Sequence, residues 1–418
     1  MSKPHEIFVT EEDRLNWDKY IQRWNESYLS DDERQRTNDS LHYLRSALGE
    51  GYLRRADRQR NPMLFWYFTD WSDGARRSMI RFAEALKSLE GSTGYGAILR
   101  RVRRPKNLDE LLEGRSVVDV AYKFFRAGFS IEEFEPLVSV PDHRGVEGPK
   151  NPDIKIINRE IGEEILVEVS RMNPSDHQNL TSNTSRVIEH VLVFESMQCD
   201  PEAFKNILSP RHILPYAKVH RGIKDDELRG VVDQIRKLVE HVRTSGKFGE
   251  LIIPDTIEVG IASYDDHAPV REWAARRGMK HLVEGPNILT DEIARVKVKL
   301  NEKLKQLPPD KPGIIVLTPA HENVILFVYD IKWLAAAMAE EVEKHPKLLC
   351  TIMFHTFDDG KDESWSVNLG PHTYNRLVRS DGAAERSLIV RNMACKHHPS
   401  DETLEKVDSA FSQRTETG

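Results

Sequence analysis

The chain has 418 residues, three of them cysteine, with 39% hydrophobic and 30% charged residues and a formal net charge of −7. So few cysteines, none in a CxxC pair, exclude a disulfide scaffold and a cysteine-rich zinc module, and the negative balance excludes a polycation that coats nucleic acid indiscriminately. No apolar run approaches the ~20 residues of a membrane span, and the first twenty residues hold no apolar signal-peptide core, so a cytoplasmic protein of two domains, or one domain with large insertions, is expected.

The first hundred residues read as helical, with apolar residues at three- and four-residue spacing over 33–48 and 76–89. Residues 51–104 hold twelve Arg or Lys against five Asp or Glu, so the rest of the chain is strongly acidic. A helix is expected over 107–127, with Gly128 as its stop. Strands are expected over 134–140, 152–158 and 165–169; the last, Ile-Leu-Val-Glu-Val, suits a buried central strand. An insertion at about 176–250 contains a helix over 231–242. A strand over 256–262, a charged helix over 291–307 and a buried strand over 313–317 follow. A short strand over 325–328, an Ala-rich helix over 331–342 and a strand over 348–355 complete the α/β part. Residues 379–418 read as a polar, peripheral tail.

The chemistry concentrates in residues 151–171, NPDIKIINREIGEEILVEVSR. Alternation puts Asp153 and Lys155 on one face of the first strand, and Leu166, Glu168 and Ser170 on one face of the next. Glu168 is then a carboxylate inside a strand buried on both sides, which is costly without a partner. A divalent cation between Asp153 and Glu168 removes that cost, and Mg²⁺ suits oxygen ligands from adjacent strands.

This segment resembles the core of the PD-(D/E)XK nuclease superfamily, the restriction-endonuclease-like fold. Pro152-Asp153 matches the PD element and Glu168 the acidic residue of the second element. The resemblance covers roughly residues 107–175 and 290–356. It implies a mixed sheet flanked by helices, beside an appended helical N-terminal region at 1–104. It implies a Mg²⁺- or Mn²⁺-dependent nuclease acting on DNA or RNA in restriction, repair or antiviral defence. Glu113 or Asp119, on the preceding helix, would add a further carboxylate. The departure is Ser170, which stands where the family has its lysine; Lys155 is the expected substitute. Lys305-Gln306 resembles a Lys or Gln that some members use near the scissile phosphate. Nucleic acid is the expected partner, DNA ahead of RNA, and a homodimer is allowed. The other class of reading is a catalytically silent nuclease-fold protein that binds nucleic acid or a protein.

Plainer alternatives stand beside these expectations. For Glu168 the plainer reading is a salt bridge to Lys155 or Arg171, and Lys303, Lys305 and Gln306 fit a solvated helix face. Arg100, Arg101, Arg103 and Arg104, like the arginines before Phe65-Trp66-Tyr67-Phe68, suit either phosphate contacts or intramolecular ion pairs. The glycine-rich stretch 91–96 lacks a Walker lysine. Residues 358–362 fit a solvated turn better than a calcium loop. Cys395, His397 and His398 lack the second ligand pair of a zinc site.

Overall fold

The computed structural model describes residues 13–25, 27, 29–58, 73–141, 145–172, 176–197, 213–279, 282–285, 289–319, 331–358, 365–370, 373–380 and 383–411. They form two compact units: residues 1–173 with 291–418, and residues 174–290.

The first unit is built on an eight-stranded mixed sheet. Its strands in chain order are β1 (Ser130–Phe134), β4 (Ile154–Asn158), β5 (Glu163–Met172), β10 (Gly313–Pro319), β11 (Leu348–Asp358), β12 (Trp365–Gly370), β13 (Thr373–Ser380) and β14 (Ala383–Arg391). Their spatial order is β1-β4-β5-β10-β11-β14-β13-β12. The central trio β5, β10 and β11 is parallel, and every other neighbour is antiparallel. All seven residues of β10 are buried, as a parallel strand covered on both faces requires. In β4, by contrast, buried and half-buried residues alternate. A small hairpin, β2 (Val138–Pro141) with β3 (Glu147–Lys150), lies between β1 and β4 in the chain. The single strand expected over 134–140 is thus two, parted where Glu135 adopts φ +55 before Pro136.

Helices α1 (Trp17–Asn25), α2 (Asp31–Leu48), α3 (Tyr52–Arg58), α4 (Asp73–Ser88) and α5 (Tyr95–Arg103) precede the sheet, and α6 (Leu108–Arg126) leads into it. Ser30 and Glu33 form a reciprocal capping box that starts α2. Asn107 caps α6 by accepting from the Glu110 N–H at 2.8 Å. Gly128, at φ +90, ends α6, and the Phe129 N–H returns to the Phe124 carbonyl at 3.0 Å. One continuous core joins Trp17, Leu44, Phe82 and Val102 to Val118 and Phe124 of α6 and to Ile156, Val167 and Val316 of the sheet. Each such buried side chain contributes about 1.5–3 kcal/mol. The helical N-terminal region therefore shares the sheet's core.

The opposite face is covered by α10 (Leu289–Leu304) and α11 (Ile331–Glu343), with Leu300, Leu304 and Met338 packed on Leu166, Ile315 and Leu317. The peripheral tail expected over 379–418 is corrected. Strand β14 is interior to the sheet, between β11 and β13. Helix α12 (Asp401–Ala410) ends at Phe411, whose ring meets Phe124 at 5.5 Å and Phe354 at 5.4 Å. Its few apolar residues fall at the contact positions, which a polar average conceals.

The second unit holds a four-stranded sheet, β7 (Gly249–Ile253), β8 (Ile257–Ser263), β6 (Ile213–Val219) and β9 (Val283–Glu284) in spatial order. Its helices are α7 (Asp176–Met197), α8 (Asp225–Ser245) and α9 (Ala268–Arg276). Its own core includes Ile188, Ala217, Ile235 and Val259. The insertion is therefore longer than the expected 176–250, and it takes the 256–262 strand out of the main sheet. The expected strand over 325–328, most of the calcium-like turn and Phe65-Trp66-Tyr67-Phe68 lie outside the described residues. Among the described residues no helix is long and apolar enough to cross a membrane.

Candidate active site

Asp153 immediately precedes β4, and Glu168 sits mid-way along β5. The β4–β5 register pairs Ile154 with Val167, which brings the two acids side by side. The Asp153 carboxylate accepts the Val169 N–H at 2.8 Å, so a backbone donor of the neighbouring strand fixes its orientation. Glu168 is 1% exposed and faces the layer formed by α10. From that helix Lys303 donates to Glu168 Oε1 at 2.6 Å. The second oxygen, Oε2, is buried and meets no hydrogen-bond donor of ordinary geometry.

The electrostatics follow from this enclosure. Burial, and then the charge of Asp153, push Glu168 up to about 8, against the pull of Lys303 and of the Asp153 backbone N–H. Burial likewise raises Asp153, opposed by Lys303, the Val169 N–H and Arg101, and assisted by Glu113. Lys303 is raised as well: burial disfavours its charge, but Glu168, Asp153 and Glu113 more than restore it. Two acids and one ammonium thus share fewer than their full complement of charges, and at neutral pH the acid pair retains a proton.

Asp153 and Glu168 lie side by side, while Glu113, exposed on α6, reaches Asp153 and Lys303 through its charge. Asp119 instead pairs with Arg115 one turn away on α6, at 2.8 Å. Lys155 is corrected: its Nζ lies 3.0 Å from Glu164, which also accepts from Lys311 at 2.8 Å. Arg171 leans to Asp109 at 3.8 Å and leaves Glu168 to Lys303. Ser170 is buried, and its carbonyl accepts from Thr318 at 3.5 Å.

Lys303 is the residue that the solvated-face reading missed. The signal was its place one turn from Leu300 and next to Leu304, both fully apolar contacts on the sheet, which points the neighbouring side chain along the same buried seam. Lys305 and Gln306 lie beyond the helix end in tightening turns, with Lys305 exposed.

Of the four arginines, Arg101 pairs with Glu135, while Arg100 and Arg104 are exposed and Arg103 half-buried. The glycine-rich stretch is structural: a Cβ on Gly94 would lie 2.4 Å from the Phe134 carbonyl oxygen. His397 and His398 turn to the carbonyls of Pro309 and Met393. Among the described residues no group of three or more His, Cys, Asp or Glu side chains forms a ready metal cluster. The two carboxylates and the orphaned Glu168 oxygen nevertheless fit a hard divalent cation with retained waters. No family model matches the chain, and neither does any curated protein or solved structure.

Proposed function

We propose that this chain is a Mg²⁺- or Mn²⁺-dependent nuclease with a restriction-endonuclease-like core, hydrolysing phosphodiester bonds of DNA or RNA. The carrying observation is the convergence of Asp153, Glu168 and Lys303, with a buried carboxylate oxygen that lacks a hydrogen bond of ordinary geometry. Asp153 and Glu168 would hold the ion, with Glu113 at the rim. When bound, such an ion supplies a more acidic water and stabilises charge on the phosphoryl oxygens. Lys303, oriented by Glu168, donates to the attacking water or to a phosphate oxygen. It fills the part left open by Ser170, from a helix rather than from β5. The Val169 N–H keeps the Asp153 carboxylate in register throughout.

A second reading is a nuclease-fold protein without catalysis, bound to nucleic acid or a protein. The 2.6 Å Lys303–Glu168 bond favours it, because an internal cation already answers the buried acid.

The test is a cleavage screen over single- and double-stranded DNA and RNA, with Mg²⁺ or Mn²⁺ against chelator, beside thermal unfolding with each ion. The nuclease reading expects metal-dependent cleavage and a metal-dependent rise in Tm. Lys303→Ala should abolish cleavage and keep the metal-dependent rise. Lys155→Ala should leave cleavage intact. A wild-type protein that neither cleaves nor responds to either ion overturns this reading in favour of the second.

A further inference from the structure

We infer that Arg55, Arg103 and Arg104 form a binding site for a phosphate of a nucleic-acid backbone, built over the Gly49-Glu50-Gly51 turn. The inference rests on the proposed nucleic-acid substrate and assigns the surface that grips it away from the scissile bond.

The turn joins α2 to α3. Gly49 has φ +86, and a Cβ there would stand 3.0 Å from Arg103 Nη2. A Cβ on Gly51 would stand 3.0 Å from Arg55 Nη1. Two guanidinium groups, one from α3 and one from the end of α5, thus lie against the turn, close to the glycine Cα positions. The acid in the same turn is engaged elsewhere: Glu50 accepts from Arg45 Nε at 2.6 Å. Arg55 donates one N–H to the Leu48 carbonyl at 3.3 Å, and the Nε atoms of Arg55 and Arg103 are buried without a hydrogen-bond partner. Among the described residues none of the three arginines pairs with a carboxylate. Their proximity registers in Arg55, whose pKa is lowered by burial and then by the charges of Arg104 and Arg103.

Three cations held together, with no acid beside them among the described residues, repel one another, and a phosphate placed among them reverses the sign of that interaction. Guanidinium forks match the tetrahedral oxygens of phosphate in paired hydrogen bonds. Arg101 provides the contrast on the same helix: Glu135 neutralises it. Two helical residues apart is roughly 200° around the axis, so Arg103 addresses a different surface from Arg101, whose charge reaches Asp153. Exposed Arg100 and Arg104 extend the basic surface, as a polymer needs and a single small anion does not.

The test measures oligonucleotide binding by the full chain in chelator, where no cleavage occurs, over a series of salt concentrations. The Arg55→Gln/Arg103→Gln/Arg104→Gln variant should bind several-fold more weakly and lose about one from the slope of log affinity against log salt. Arg103→Lys, which keeps the charge, should retain most of the slope. Without ligand, the Gln variant should melt no lower than wild type, since it relieves repulsion. An unchanged slope overturns the site, and a lower Tm with an unchanged slope assigns the arginines a structural role instead. Inorganic phosphate is the second probe. If it raises Tm through these arginines while oligonucleotide binding ignores them, the site serves a small phosphate ligand and the nucleic-acid assignment is overturned. Arginine-dependent binding by a protein that never cleaves supports this site while sinking the nuclease reading.

Discussion

Replacing Glu168 with Gln should stabilise the metal-free protein at alkaline pH. The substitution keeps the shape and the acceptor for Lys303 and removes the ionisation. Enclosure and Asp153 move Glu168 from its ordinary 4.5 to about 8, at about 1.4 kcal/mol for each pH unit. That sets a ceiling of roughly 5 kcal/mol on the cost of ionising it in the fold. The native state holds this proton more tightly than the unfolded chain does. Its contribution to stability is therefore fully present below about 4.5 and is lost as the pH rises to about 8. Urea unfolding in chelator should find Glu168→Gln close to wild type at the acid end of that window. Above its alkaline end the variant should be more stable by about 2–5 kcal/mol at an unchanged m-value. If the variant is instead less stable by about 3 kcal/mol or more at both ends, Glu168 is an ionised anchor for Lys303, and the account of an acid pair awaiting a cation fails.

Two further substitutions probe the frame around the site. Gly94→Ala should destabilise by roughly 2–4 kcal/mol, because its Cβ meets the Phe134 carbonyl oxygen at 2.4 Å and its φ is +78. Gly128→Ala, with open space around it at φ +90, should lose only about 1 kcal/mol; equal losses in denaturant titrations would refute the close-approach argument. Phe411→Ala should cost about 3–5 kcal/mol by removing a ring packed on Phe124 and Phe354, whereas a change under about 1 kcal/mol would return the C-terminal segment to the periphery.

What the sequence disclosed was what local pattern encodes. The run Ile165 to Val169 announced a central strand, the alternation Asp153-Ile154-Lys155 set the face of its neighbour, and Asn107 and Gly128 marked the ends of α6. Glu168 stood out because a carboxylate among valines demands an explanation wherever the chain goes. Lys303 was hidden because its partner is 135 residues away, and a lysine in a charged helix looks solvated until the packing direction of that helix is known. Lys155 misled for the converse reason: it shares a strand face with Asp153, but the adjacent Glu164 captures it. Phe411 escaped notice because one ring in a polar segment carries no periodicity.

The placement of the second unit bears on how the molecule comes to exist. Residues 174–290 interrupt the chain between β5 and β10, so Glu168 is synthesised long before Lys303. Closing a flexible loop of 135 residues rather than one of about fifteen adds roughly 2 kcal/mol of entropic resistance, from the logarithmic dependence on length. A unit with its own core that orders first shortens the effective loop and reduces that resistance. Until then the acid pair, Asp153 before β4 and Glu168 on β5, lacks its ammonium, and β5 lacks the parallel neighbour that buries it. Assembly of the site is therefore a late, non-local event, and the interval before it leaves a hydrophobic strand without its neighbour on a growing chain.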